Sequence, residues 1–109
     1  MGVNLKIKEI EKVYLVNKLD DFRLDNIDDI RKCHGIDVTD IKGYESLTNK
    51  NKDIFKTFIV NIFNAFDLEA RAELKPKSIY KCKGFLKFEY TQWDSVRWLH
   101  IINNGETWY

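Results

Sequence analysis

Residues 48–66 read TNKNKDIFKTFIVNIFNAF, and the fold follows from how this stretch is partitioned. Thr48 suits a helix N-cap, because its hydroxyl can accept from a backbone N–H left over in the first turn. Ile54, Phe55, Phe58, Ile59, Ile62, Phe63 and Phe66 then recur at spacings of three and four. Lys52, Asp53, Lys56, Thr57, Asn61 and Asn64 fall largely on the opposite side. A wide apolar stripe of this kind predicts an amphipathic helix that organises the core.

C-terminal to this helix the period falls from about 3.6 to 2. Ala70, Ala72 and Leu74 alternate with Arg71, Glu73 and Lys75 up to Pro76, which predicts a strand, with Pro76 at a strand end or an edge. Ile79 to Cys82 is a second run, reaching Gly84. Leu86, Phe88 and Tyr90 oppose Lys87 and Glu89, and Val96, Trp98, His100 and Ile102 oppose Ser95, Arg97 and Ile101. Thr91 to Asp94 fits a hairpin turn between those strands, and Asn104-Gly105 is a further turn signal. Glu106 to Tyr109 is then a short last strand or a tucked tail.

N-terminal to the central helix the signals are weaker. Val3, Leu5 and Ile7 alternate with polar residues, whereas Ile7, Ile10 and Tyr14 also fit a helix. The β-rich run Val13 to Val16 favours two short strands. Asp25 is placed to cap a short helix carrying Ile27, Ile30 and Cys33, with Arg31 and Lys32 near its end and Gly35 beyond. Residues 36–46 read as a loop with a turn at Gly43. The fold class is therefore α+β: an antiparallel sheet, mainly from the C-terminal half, packed on one central amphipathic helix, with a short additional helix in the N-terminal half. Residues 1–109 form a single domain of ordinary size.

The 109 residues are 44% hydrophobic and 14% aromatic, enough for a core without staples. Eighteen basic residues face 17 acidic ones, a net charge of +1, so no global field steers the chain to nucleic acid or an anionic membrane. Cys33 and Cys82 fit no disulfide framework, and the start of the chain holds no apolar leader, which together predict a reducing, cytoplasmic setting without membrane insertion. Lys, Ile and Asn are abundant while Ala and Pro are scarce, a usage associated with AT-rich genomes.

No motif for catalysis is present. Cys33 and His34 are adjacent, so on a helix their side chains diverge, and a buried thiol is the simpler account of Cys33. Cys33, His34, Cys82 and His100 hold the atoms of a zinc site but no close-spaced ligand pair. The scattered glycines make no phosphate loop. No catalytic, cofactor or metal residue is expected, and the chain is read as a non-enzyme.

Two charged clusters remain. Lys75, Lys77, Lys81, Lys83 and Lys87 run without an intervening acid, interleaved with Tyr80 and Phe85 and followed by Trp93 and Trp98. Lysines with aromatic rings on a sheet face could bind phosphates and stack bases; lysines also guard exposed sheet edges against pairing. Asp20, Asp21, Asp25, Asp28 and Asp29 form an acidic face that could imitate DNA phosphates toward a protein, or simply cap helices and face water.

Asn61-Ile62-Phe63-Asn64-Ala65-Phe66, Lys75-Pro76-Lys77-Ser78 and the ending Glu106-Thr107-Trp108-Tyr109 resemble small proteins carried by phages, plasmids and conjugative elements of low-GC Gram-positive bacteria. Some of these are anti-CRISPR inhibitors of type II effectors. The resemblance implies a stoichiometric protein binder that disables a host defence nuclease such as Cas9, alone or with its guide RNA, and carries over no site residue. The alternative expectation is a nucleic-acid-binding accessory module using the lysine and aromatic face. Oligomeric state is open.

Overall fold

The computed structural model describes residues 2–109, with side chains from residue 8 onward. Helix α3 (Asn49–Ala65) begins as predicted: the Thr48 hydroxyl accepts from the Asn51 N–H at 3.1 Å. Phe55, Phe58, Ile59, Ile62 and Phe63 are buried along it. Strands β1 (Lys75–Cys82), β2 (Phe85–Gln92), β3 (Ser95–Ile102) and β4 (Thr107–Trp108) form an antiparallel sheet in the order β1-β2-β3-β4. Its inner face, Ile79, Leu86, Phe88, Tyr90 and Ile101, closes on the α3 stripe. The Phe88 ring stands 5.7 Å from Phe55 and 5.3 Å from Phe58, and Trp108 of β4 meets Phe58 at 5.6 Å.

Three expectations are corrected. Residues 2–16 are helix α1 (Gly2–Val16) rather than two strands. Tyr14 is fully buried while its neighbours Leu15 and Val16 are exposed, a one-sided pattern that Ile10 and Tyr14 satisfy at i, i+4 and that overrides the β preference of Val13 to Val16. The expected alternation of Val3, Leu5 and Ile7 lies outside the described side chains. Residues Ala70 to Leu74 are not a strand either. They belong to helix α4 (Leu68–Glu73) and its C-cap, started by Asp67, whose carboxylate accepts from Ala70 N–H at 2.9 Å. Alanine is the best helix former, and with a cap in place the alternation of Ala with charge reads equally well as a helix burying Ala70, Arg71 and Leu74.

The third correction is one residue wide. Helix α2 (Ile27–His34) is capped by Asn26, which accepts from Asp29 N–H, while the Asp29 carboxylate accepts from Asp25 N–H. The pair is close to a capping box, except that the acid reaches past the cap residue to the N–H before it. Gly35 ends α2 at φ 69°. Residues 36–47 contain two 3₁₀ turns, Val38–Asp40 and Tyr44–Ser46, within the predicted loop.

The loop also finishes one sheet edge. Ile79 N–H donates to Lys42 C=O at 2.9 Å, and Gly43, at φ 92°, lies so close that a Cβ there would sit 1.9 Å from Ile79 O. At the other edge β4 pairs only with Ile101 and Ile102, and Tyr109 exchanges both backbone bonds with His100 at 2.9 and 3.0 Å. Among the described residues no helix is long and apolar enough to cross a membrane.

Candidate functional site

The face of the sheet turned away from α3 carries Ser78, Tyr80 and Cys82 from β1, Phe85, Lys87, Glu89 and Thr91 from β2, and Val96, Trp98 and His100 from β3. Register sets this grouping: Tyr80 pairs with Lys87, Lys87 with His100, Glu89 with Trp98 and Thr91 with Val96. No described element covers its middle. Trp98 is 52% exposed, Val96 66% and Tyr80 39%, and Tyr109 and Trp93 stand exposed at its margins. Scattered exposed apolar residues are ordinary; here several of them share one sheet face.

The rings on this face hold one another in place. His100 lies 4.2 Å from Phe85 and 4.7 Å from Trp98 between ring centroids, with Tyr109 against its edge at 4.9 Å. The Nδ1 of His100 is covered and has no hydrogen-bond partner among the described residues. Lys87 Nζ stands 5.2 Å from the Trp98 ring and 5.9 Å from the Tyr80 ring, a cation–π arrangement. Glu89 sits 3.9 Å from Lys87 Nζ and accepts from the Tyr80 hydroxyl at 3.0 Å and Ser78 Oγ at 3.2 Å. The face is thus aromatic, braced and close to neutral.

The lysines do not gather there. Of the five, Lys87 joins Tyr80 in the middle of the outer face, and Lys75, ahead of the β1 bulge, pairs with outer-face Thr91 at its far corner. Lys81 pairs with the inward Leu86 and lines a groove with Thr48, Lys50 and Ile101. Lys75 and Lys77 adjoin Asp37 and Asp40 around a shallow cleft, and Lys83 occupies the β1–β2 turn beside Gly84. Trp93 stands in the β2–β3 turn at φ 49°. All five lysines bear odd numbers, so a strict period of two groups them, but a two-residue turn reverses parity across a hairpin.

Two of the five aspartates in the acidic cluster are used by the chain itself. Asp28 pairs with Arg31 and Lys32, which hold its carboxyl below the usual range, and Asp29 accepts from the Asp25 N–H at the start of α2. Asp20 and Asp21 lie in a short 3₁₀ turn and, with Asp25, remain exposed. Cys33 and His34 lie in the helical layer and Cys82 and His100 on the outer sheet face, so the four do not assemble; among the described residues no three potential ligands cluster.

Sequence reasoning missed a buried polar knot. Arg71 is 7% exposed and donates to Phe66 O at 2.8 Å, Phe22 O, Asn64 O and the Tyr14 hydroxyl at 3.2 Å. Tyr14 in turn meets His34 Nε2 at 2.6 Å. Burial raises the Tyr14 hydroxyl pKa, and burial with the Arg71 charge pushes His34 down to about 4. Burial likewise raises the Cys33 thiol. Such groups resemble catalytic ones in their shifts, yet Tyr14 is sealed from solvent, and the knot joins α1, α2, α4 and the turn at Phe22. The cleft formed by Arg23, Asp25, Lys56 and Asn61, about 330 Å³, is equally structural: Asn64 at its base binds both backbone groups of Leu24 at 2.9 and 2.8 Å.

No protein-family model matches the chain, and comparisons with curated proteins and with solved structures find no significant match.

Proposed function

We propose that this protein acts by binding a protein partner stoichiometrically, without turnover, through the outer face of its sheet. The observation that carries this reading is the set of Trp98, Val96, Tyr80 and Tyr109, exposed together on a rigid sheet. Tryptophan and tyrosine on a preformed surface are the residues that most often dominate protein–protein affinity. The partner class to test first is a defence nuclease such as Cas9 or its guide-RNA complex, on the strength of the sequence resemblance to mobile-element inhibitors. Target-DNA cleavage by purified Cas9 from a low-GC Gram-positive host, titrated with the protein, is the direct assay. Inhibition saturating at equimolar protein and lost in Trp98→Ala supports the proposal; full cleavage with excess protein, and no Cas9 in a pull-down, rejects that target.

The nucleic-acid reading has one observation in its favour, the Lys87 ammonium beside two stackable rings. Polyanion binding draws on several phosphate contacts, whereas Lys87 is paired with Glu89, Lys75 stands at the far corner of the face and Lys81 and Lys83 lie off it. It predicts salt-sensitive binding of single-stranded DNA or RNA, weakened by replacing Lys81, Lys83 and Lys87 with glutamate. The same affinity in that triple variant excludes it.

A further inference from the structure

The two outer edges of the sheet are finished in opposite ways. The β1 edge carries Lys75, Pro76, Lys77 and Lys81, and the Lys42–Gly43 backbone closes on it at Ile79. Lysine, proline and a covering loop are the usual means of keeping an edge from pairing. The β3 edge from Ser95 to Leu99 has neither lysine nor proline, and no described strand pairs with it on that side.

The hydrogen-bonding direction of that edge follows from its hairpin. Trp93 and Asp94 have φ of 49° and 63°, as a two-residue type I′ turn requires. Gln92 and Ser95 therefore make the first hydrogen-bonded pair, and the alternation sends the backbone groups of Ser95, Arg97 and Leu99 toward β2 and those of Val96, Trp98 and His100 outward. His100 confirms the phase, since both its outward groups bond Tyr109. Val96 and Trp98 are next in line on the same edge, with exposed side chains.

We propose that Val96–Trp98 accepts an extended segment of the protein partner as an added strand, antiparallel to β3 and continuing the line that β4 begins. The proposal rests on the reading of the outer face as the partner surface, and it specifies how the partner is held: main-chain bonds supply the seat, and alternate side chains supply selectivity. Residues opposite Val96 and Trp98 lie on the outer face beside exposed apolar surface, so they are apolar. The residue between them lies opposite Arg97, which is exposed and already donates to Gln92 Oε1 at 3.1 Å, so it is acidic. A second copy fits this edge poorly. Pairing Val96 with Trp98 of a second copy sets Arg97 directly against its own symmetry mate, a destabilising like-charge pair. Pairing Trp98 with itself instead brings Val96 to the position that Tyr109 occupies beside His100.

The test is an NMR titration of the ¹⁵N-labelled full chain with acetyl-Thr-Val-Glu-Val-Thr-amide and with the same peptide N-methylated at both valines. Strand addition predicts saturable downfield movement of the Val96 and Trp98 amide protons, and affinity roughly tenfold or more weaker for the methylated peptide, which cannot donate to the edge. Unmoved Val96 and Trp98 amides at millimolar peptide overturn the proposal. Equal affinity for both peptides also overturns it, while leaving the outer face as a side-chain contact surface. Concentration-dependent movement of those two amides without peptide overturns it in favour of a second copy. Failure of the broader partner reading is separate: Trp98→Ala would then leave partner capture unchanged whatever the peptide does.

Discussion

Trp98 and Phe88 are both large aromatics on neighbouring strands, yet one is half in water and the other fully buried. The difference is the face each strand position addresses, so their replacement has opposite consequences. Phe88→Ala should cost about 3–5 kcal/mol of stability through the cavity it leaves against Phe55 and Phe58, measured by denaturant unfolding. Trp98→Ala should change stability by no more than about 1 kcal/mol while removing the proposed contact. His34 carries a pH prediction. Its folded pKa of about 4 lies below the ordinary 6.5, so between those values the unfolded chain binds the extra proton and stability falls as the pH is lowered. Thermal unfolding should show this loss from pH 6.5 toward 4, and His34→Gln should flatten it. An equal slope in the variant would assign the loss to other groups.

At the level of elements, two close approaches are decisive. Gly43 against Ile79 O, and Gly105, at φ 88° with its absent Cβ 2.4 Å from Ile54 O, join loops to β1 and α3. Gly105→Ala combines a left-handed backbone with a backbone clash and should cost roughly 1–3 kcal/mol or more, read from its urea midpoint; an unchanged midpoint would show that the loop repacks freely. Periodicity revealed α3 and most of the three long strands because each buries one face against the other, but the turn expected over Thr91 to Asp94 narrows to Trp93-Asp94 and β1 already begins at Lys75. It failed at α1 and α4, where short runs of Val, Leu or Ala fit two periods and the deciding partners, Arg71 for Tyr14 and Asp67 for Ala70, are set by the fold or by a cap. The site was legible only in part. Tyr80, Lys87 and Trp98 stood out as residue types, but their shared face, and the separation of Lys81 from it, depend on a turn that reverses parity.

For the whole molecule, one sheet face stabilises the domain and the other is not covered by any described element, with charge nearly balanced over the chain. That division is what a binding module needs, because the contact surface can be altered without unfolding its support. The most direct test of the central claim compares partner binding by calorimetry for the wild type, a Trp98→Ala/Tyr80→Ala variant and a Lys77→Glu/Lys81→Glu/Lys83→Glu variant, using the partner recovered by nuclease-resistant pull-down. The outer-face account predicts a loss of at least about 2 kcal/mol, roughly 30-fold, for the aromatic variant, and less than about threefold for the lysine variant, whose charges lie on other surfaces. Unchanged binding by the aromatic variant, or a larger loss in the lysine variant, would contradict it.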